Sequence, residues 1–190
     1  MIKASRKTNQ LRIIGGQWRG RKFNFPDVPD LRPTGDRIRE TLFNWLQAEI
    51  PGAVCLDLFA GSGALGLEAL SRGAEQVVFV DSHSKVIQQL KENCSIVNCV
   101  SAELFKGEAQ QYLQRSPNQA FDVVFLDPPF RLNMLTEIAS LLESKGWLKS
   151  HASIYVEMDL ATTNVKMPES WKLAKEKQAG QVKYQLWRKQ

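Results

Sequence analysis

Apolar residues along positions 51–190 follow two alternating patterns. Short apolar runs, such as residues 54–58, indicate strands that are buried on both faces. Between these runs lie segments with apolar residues three and four positions apart, which indicate amphipathic helices. We predict strands at residues 54–59, 76–81, 102–106, 122–127, 153–157, 172–177 and 182–187. We predict helices at residues 64–71, 85–93, 109–114 and 135–144.

Strands and helices alternate in this order, and the chain ends in two strands. Because a strand–helix–strand crossover joins parallel neighbours, repeated units of this kind build a doubly wound α/β sheet. The last two strands resemble a hairpin around Ala179 and Gly180, which requires an antiparallel strand. The predicted fold is therefore Rossmann-like, with seven strands, mostly parallel, and an antiparallel edge strand.

The beginning of the chain carries a different pattern. Residues 11–25 predict a short β-hairpin, and a helix follows for which Thr34 is the predicted N-cap. This part has so few apolar groups that it would form a poor core of its own. We therefore expect residues 1–50 to be an extension packed on a main domain at residues 51–190.

The composition is that of an ordinary globular protein. Of the 190 residues, 43% are apolar and 24% are charged. No apolar run reaches the roughly 20 residues of a membrane span, and the N-terminus lacks the apolar segment of a secretory signal. These features predict a cytoplasmic protein that does not bind a membrane. Three cysteines without a paired spacing predict reduced thiols, and we expect no metal site.

The net charge of +5 is unevenly distributed. Residues 1–39 carry ten lysines and arginines against three aspartates, which leaves the rest of the chain at −2. Trp18, Phe23 and Phe25 offer stacking faces among these cations, a combination typical of nucleic-acid binding, although a solvated basic arm would have the same charge. The candidate nucleic-acid contacts are Arg12, Arg19, Arg21, Lys22, Arg32, Arg37 and Arg39. For the last three, the spacing leaves open whether they bind phosphates or cover a ligand pocket.

A glycine-rich turn follows the first strand of the main domain. Gly61, Gly63 and Gly66 match the dinucleotide-binding pattern, in which glycines allow a tight turn and a helix N-terminus faces the ligand. Asp57 stands just before this turn, where a carboxylate would repel a pyrophosphate. Asp57 therefore suits a ligand that carries an ammonium or sulfonium group, and capping the turn is its alternative role.

Two later strands also end in carboxylates. Asp81 lies 20 residues after Gly61, which is the position of a carboxylate that accepts the hydroxyls of a ribose, and Ser82 lies beside it. Asp127 ends another apolar run and is followed by Pro-Pro-Phe. A dinucleotide enzyme has no need of this tetrapeptide, whereas an enzyme that methylates amino groups does.

The sequence Asp57-Leu-Phe-Ala-Gly-Ser-Gly, together with Asp127-Pro-Pro-Phe, resembles class I S-adenosylmethionine-dependent methyltransferases that modify exocyclic amines. The segment at residues 31–45 is more specific, and it reads Leu-Arg-Pro-Thr-Gly-Asp-Arg-Ile-Arg-Glu-Thr-Leu-Phe-Asn-Trp. With Ile14-Gly-Gly and Arg19-Gly-Arg-Lys ahead of it, this segment is similar to the RsmD family. Members of that family are bacterial enzymes that methylate guanine N2 in 16S ribosomal RNA.

The resemblance implies a cofactor, a partner and further site residues. The implied cofactor is S-adenosylmethionine. The implied partner is 16S rRNA in a partly or fully assembled small ribosomal subunit, and we expect the protein to act as a monomer. Glu108 and Ala109 stand at the position that meets the adenine in the family. The expected cofactor-binding residues are Asp57, Phe59, Gly61, Gly63, Asp81, Ser82, Glu108 and Ala109.

The expected chemistry is in-line methyl transfer to an amine held at Asp127. The Asp127 carboxylate and the Pro128 carbonyl would accept the two N–H groups, so that the nitrogen lone pair points at the methyl group. The rings of Pro128 and Pro129 fix φ and hold that carbonyl in place. Phe130 would stack on a flipped-out base.

Three other functions stay open at this point. A DNA methyltransferase acting on adenine N6 or cytosine N4 shares the tetrapeptide, but such enzymes commonly carry a separate recognition domain. A methylator of protein glutamine normally has Asn at the position of Asp127. A non-catalytic RNA-binding assembly factor is the third alternative, and the intact set of Asp57, Asp81 and Asp127 argues against it.

Overall fold

The computed structural model describes residues 9–29, 31, 33–129 and 134–190. Arg32 and Phe130, which the sequence assigns to RNA and to the target base, lie outside the described residues. The strands are β1 (Asn9–Arg12), β2 (Lys22–Phe25), β3 (Val54–Asp57), β4 (Gln76–Asp81), β5 (Ala102–Lys106), β6 (Phe121–Leu126), β7 (Leu148–Asp159), β8 (Trp171–Ala179) and β9 (Val182–Lys189). The helices are α1 (Asp36–Trp45), α2 (Ala64–Ser71), α3 (Ser84–Ile96), α4 (Ala109–Leu113) and α5 (Leu135–Ser144). None of these described helices combines the length and the apolar composition that a membrane crossing requires.

Seven strands form one sheet in the order β5-β4-β3-β6-β7-β9-β8. β3 pairs in parallel with both β4 and β6, so the strand order reverses between β3 and β6. β9 is antiparallel to both of its neighbours, because the hairpin at Gly180 turns it back between β7 and β8. The predicted fold is confirmed, with the antiparallel strand one place in from the edge. In sheets of this kind the ligand binds beyond the carboxyl ends of the strands, at the point of reversal.

Helices cover both faces of the sheet. α1, α2 and α3 pack on one face through an apolar cluster that includes Leu42 and Phe125, whereas α4 and α5 cover the other face. The β1–β2 hairpin joins the first of these layers. Leu11 and Phe23 of the hairpin are only 3% and 1% exposed within the same cluster. The hairpin and the sheet therefore share one core, as a small segment with few apolar residues requires.

Four elements, β7, α3, β8 and β9, are longer than the sequence predicts, and β7 and α3 differ most. β7 begins at Leu148 rather than at residue 153. The residues that follow, Lys149, Ser150 and His151, are exposed and polar, and His151 has a positive φ of 63°. The register shift against β6 lies in the same region, so the usual apolar signal is absent there. α3 continues past Asn93, because this polar side chain is buried and its Nδ2 donates to the Asn24 carbonyl oxygen at 2.8 Å.

Candidate active site

Four carboxylates stand at or near the carboxyl ends of four neighbouring strands. Asp57 ends β3 and Asp81 ends β4, while Asp127 follows directly after β6. Leu126 pairs with Val156 in the parallel register, which places Asp127 beside Glu157 of β7. Neighbouring strands are about 4.8 Å apart, so the four groups line one edge of the sheet across the point where the strand order reverses.

The turn between β3 and α2 depends on its glycines. Gly63 precedes α2 with a φ of 77°, and a Cβ atom there would lie 2.4 Å from a Leu90 methyl carbon. Gly61 also has a positive φ, of 51°. Only glycine adopts such angles without strain in a turn this tight. The Gly61 N–H donates to Asp81 Oδ2 at 2.9 Å, so the turn is tied to the end of β4.

Asp57 is the most deeply buried of the three predicted carboxylates, at 2% exposure. Its Oδ2 accepts a hydrogen bond from the Gly66 N–H at 2.9 Å, which is the capping role that the sequence left open. The pKa of Asp57 is raised to about 7, mainly by burial and to a smaller extent by the nearby Asp81, while the Gly66 hydrogen bond lowers it. Among the described residues, no lysine or arginine forms an ion pair with Asp57.

Asp81 is held by backbone donors on both sides. Its Oδ1 accepts from the His83 N–H at 2.8 Å, in addition to the Gly61 bond at Oδ2. The Gly107 N–H donates to the Asp81 carbonyl oxygen at 3.0 Å, which brings the start of α4 next to this strand end. Glu108 precedes α4, is exposed and makes no side-chain capping bond, while Ala109 is buried. Ser82 is exposed beside Asp81, and Phe59 is half-buried in the turn after β3.

Asp127 is half-buried, and it receives a hydrogen bond that the sequence did not predict. The Thr34 hydroxyl donates to Asp127 Oδ2 at 3.2 Å. The prediction that Thr34 caps α1 is wrong, because Gly35 holds the N-cap position and no side chain caps this helix. Burial holds the pKa of Asp127 well above its usual range; the neighbouring Glu157 and Asp57 raise it further, while the Thr34 bond lowers it.

Glu157 is a site residue that the sequence analysis missed. It is 5% exposed, its Oε2 accepts from the Tyr155 hydroxyl at 2.8 Å, and burial raises its pKa. A signal for it was available, because Glu157 ends an apolar run as Asp57, Asp81 and Asp127 do. The predicted strand at residues 153–157 already placed this carboxylate at the same edge of the sheet.

Arg39 was assigned to RNA contact, and this assignment is wrong. Its side chain is 1% exposed, and its Nη1 lies 3.3 Å from Oε2 of the fully buried Glu68. Its Nη2 lies 2.5 Å from Asp36 Oδ1, and its Nε donates to the Thr34 carbonyl oxygen at 3.1 Å. A guanidinium with these partners is committed to the fold and has no surface to offer to a phosphate.

The other basic candidates within the described chain are exposed, and they lie in two places. Arg37 is in the first turn of α1, close in sequence to Thr34 and so to Asp127. The hairpin turn lies elsewhere, since the Gln17 N–H donates to the Ser71 carbonyl oxygen at 2.7 Å. Ser71 is the last residue of α2, eight residues and about 12 Å along the helix from the glycine turn. The exposed basic residues in and next to the hairpin turn are Arg19, Arg21 and Lys22. Arg12 of β1 is also exposed, but its Nη2 lies 4.0 Å from Asp36 Oδ2 in the first turn of α1.

Comparisons with known proteins agree on one family. The model of the family described as "Conserved hypothetical protein 95" matches residues 11–188. A relative from Escherichia coli (strain K12), named ribosomal RNA small subunit methyltransferase D, is 48% identical over 183 residues, covering 96% of this chain and 92% of the relative. A relative with the same name from Haemophilus influenzae is 47% identical over 189 residues, covering 98% of this chain and 97% of the relative. The solved structure of yhhF from Escherichia coli, 46% identical, superposes with a TM-score of 0.89 and covers 95% of this chain and 98% of that one.

The sheet order and the carboxylates at the point of reversal define the class, which is that of Rossmann-like class I methyltransferases, the class that uses S-adenosylmethionine. Within that class, the chain belongs to the family described as "Conserved hypothetical protein 95", whose members include the ribosomal RNA small subunit methyltransferases D. The predicted resemblance to the RsmD family is confirmed.

Proposed function

We propose that this protein transfers a methyl group from S-adenosylmethionine to the exocyclic N2 amine of a guanine in 16S ribosomal RNA. The observation that carries the proposal is the place of Asp127 and the two prolines after it. They follow β6 directly, beside the strand whose carboxyl end leads into the glycine turn. The names of the relatives support ribosomal RNA as the substrate, and the resemblance to the RsmD family supports guanine N2.

The residues around the glycine turn fit S-adenosylmethionine. Asp57 is a buried carboxylate without a described cationic partner, which is the environment that an ammonium group of the ligand would complete. Asp81 has a second lone pair on each oxygen for the ribose hydroxyls, and Glu108 and Ala109 stand next to it for the adenine. Phe59, Gly61, Gly63 and Ser82 complete the proposed pocket. When bound, the cofactor supplies an electrophilic methyl group on its sulfonium.

The chain's own contribution to the reaction lies at Asp127. An aryl amine is a poor nucleophile, because its lone pair is delocalised into the ring. The Asp127 carboxylate and the Pro128 carbonyl accept its two N–H groups, which lets the nitrogen pyramidalise and fixes the direction of its lone pair. The rings of Pro128 and Pro129 hold the carbonyl, and Phe130 stacks on the flipped-out base. The amine loses its proton after alkylation, and Asp127 or water accepts it.

The proposed RNA contacts lie on the N-terminal extension at residues 1–50. Arg12, Arg19, Arg21 and Lys22 provide exposed positive charge near the half-buried Trp18. Phosphates are the natural partners of such a cluster, and folded RNA supplies the shape that a small extension can recognise. The protein acts as a monomer in the cytoplasm, on a partly or fully assembled small subunit, and it needs no metal ion.

The test replaces Asp127 with asparagine, which keeps the size of the side chain and removes its charge. We expect methyl transfer to fall by at least about 100-fold, because an electrostatic contact to the reacting group is lost. Calorimetry should show nearly unchanged affinity for S-adenosylmethionine, because Asp127 contacts the amine and not the cofactor. Asp27→Asn, at an exposed position just after β2 of the hairpin, is the matched control. Turnover of Asp127→Asn close to that of the control would refute the proposal.

A second arm of the experiment tests the substrate. Labelled cofactor is offered in parallel to naked 16S rRNA, assembled small subunits and double-stranded DNA, and the modified nucleoside is identified by mass. N2-methylguanine in rRNA supports the proposal. Transfer to DNA alone would instead favour the DNA amine methyltransferase that the sequence left open.

A further inference from the structure

The segment that leads into α1 bridges the two halves of the candidate site. At one point it lies against the glycine turn, where a Cβ atom on Gly61 would be 3.8 Å from the Leu31 side chain. Three residues later, the Thr34 hydroxyl donates to Asp127 Oδ2 at 3.2 Å. Thr34 is only 7% exposed, so this hydrogen bond is largely protected from competition by water. The segment thus contacts both the proposed cofactor turn and the proposed catalytic carboxylate.

The backbone of Thr34 is held in place by a hydrogen bond from Arg39. Arg39 Nε donates to the Thr34 carbonyl oxygen at 3.1 Å, and Arg39 Nη1 lies 3.3 Å from Glu68 Oε2. Glu68 in turn accepts backbone N–H groups from Ile14 at 2.9 Å and Gly15 at 2.7 Å. Two of the partners of Arg39, the Thr34 carbonyl oxygen and Glu68, therefore belong to buried residues. The hydroxyl of Thr34 has a defined position relative to Asp127, set by buried charges on α1 and α2.

A second carboxyl group, on the neighbouring strand, raises the pKa of Asp127. Glu157 of β7 lies beside it in the parallel register and is itself bound by the Tyr155 hydroxyl. Of the described residues, the other titratable groups that face this pair are Asp57 from β3 and Tyr184 from β9, which lies close to Tyr155. Neighbouring buried carboxyl groups disfavour each other's ionisation, and the charge of Glu157 raises the pKa of Asp127.

We propose that Thr34 is a positioning residue for Asp127, which holds this carboxyl group in its ionised form against the opposing charge of the neighbouring Glu157. The hydrogen bond from Thr34 stabilises the ionised form of Asp127 and fixes one of its oxygens. The charge of Glu157 acts in the opposite direction and raises the pKa of Asp127. This inference rests on the proposed function, in which ionised Asp127 accepts the N–H groups of the amine.

The test is the dependence of kcat on pH in two variants with opposite expected shifts. Activity requires ionised Asp127, so it falls as the pH drops through the apparent pKa of that group. Thr34→Val removes the donor at nearly constant volume, which raises this pKa and should move the acidic limb up by about one pH unit. Glu157→Gln removes the like charge and can still accept from Tyr155, which should move the acidic limb down by a similar amount.

Thr34→Ser is the matched control, because it keeps the hydroxyl and removes only a methyl group. It should retain the wild-type acidic limb, and a thermal unfolding midpoint confirms that each variant is folded. A Thr34→Val profile that superposes on the wild type would overturn the inference, as would shifts of the two variants in the same direction. Should Glu157→Gln fail to fold, the comparison of Thr34→Val with Thr34→Ser decides alone.

This outcome is separable from a failure of the proposed function. If Asp127→Asn retains full turnover, the proposed function fails, and Thr34 has no catalytic group to position. If Asp127→Asn is inactive and Thr34→Val leaves the acidic limb in place, only the role of Thr34 is wrong.

Discussion

Asp57 is an acid whose surroundings disfavour its charge until a cation arrives. Its pKa is raised to about 7 by burial, and the only described hydrogen bond that stabilises its charge comes from Gly66. A raised pKa means that the group is largely protonated below pH 7 in the unliganded protein. An ammonium group brought next to it would favour the ionised form and lower that pKa. Cofactor binding and proton release should therefore be coupled at this residue.

We expect binding of S-adenosylmethionine at pH 6 to release up to about one proton, since Asp57 is mostly protonated there and ionises in the complex. The release should decline as the pH rises above about 7. Calorimetry in two buffers of different ionisation enthalpy measures the number of protons directly. Asp57→Asn cannot titrate, and it should bind more weakly and without this release. Equal proton release in both proteins would show that another group titrates.

The residue scale also shows what the sequence could and could not predict. Asp57, Asp81 and Asp127 were found because each ends an apolar run, and parallel strands bring their ends together. The assignment of Arg39 to RNA is wrong, since its burial depends on Glu68. Glu68 lies 29 positions away, and nothing in the local sequence shows that the two residues pair. Thr34 was read from its local role as a helix cap, whereas its hydroxyl bonds to a residue 93 positions away.

At the scale of elements, a buried ion network joins α1, α2 and the hairpin. Glu68 is fully buried, and its two oxygens receive the guanidinium groups of Arg39 and Arg72. Two backbone N–H groups just after β1, from Ile14 and Gly15, complete its coordination. Removing one member of such a network leaves an undercompensated buried charge, which costs more than the pair itself contributes.

We expect Arg39→Met to lower the free energy of unfolding by about 3 kcal/mol, because it leaves Glu68 with less compensating charge. Arg37→Met, at an exposed position on the same helix, should change it by less than about 0.5 kcal/mol. Urea unfolding measures both values. The double variant Arg39→Met/Glu68→Gln should lose less than the sum of the two single losses. Additive losses would mean that the two charges do not interact.

The element boundaries are also predicted correctly where the local apolar pattern determines them and incorrectly where contacts with distant residues do. The bounds of α2, β4, β5 and α5 agree with the prediction, because their apolar patterns are regular from end to end. The predicted β7 is too short, since Lys149, Ser150 and His151 near its start are polar and exposed. α3 was ended at Asn93, a polar residue that is in fact buried against the hairpin. The error at α3 arises because a polar side chain lies in the interior, and the error at β7 arises because part of the strand is exposed to solvent.

At the scale of the whole molecule, the proposed sites for chemistry and for RNA recognition lie at opposite ends of α2. The glycine turn and Asp127 are at the carboxyl edge of the sheet, whereas the hairpin turn contacts Ser71 at the end of α2. Because the hairpin cations are remote from Asp127, they can affect how the RNA binds without touching the reacting amine. Binding and catalysis should therefore respond separately to substitutions at the two ends.

Neutralising Arg19, Arg21 and Lys22 to glutamine should weaken RNA binding and raise KM, with kcat at saturating RNA nearly unchanged. Each lost phosphate contact should reduce the slope of log affinity against log salt by about 0.7 to 0.9, so the triple variant should lose about two units or more. The matched control neutralises Lys172, Lys175 and Lys177, which are equally exposed but lie on β8 at the far edge of the sheet. Both variants lose the same net charge, so the comparison separates contact from a general effect of charge. An equal loss of slope in both, or a loss of kcat in the hairpin variant alone, would contradict the assignment of the hairpin to RNA.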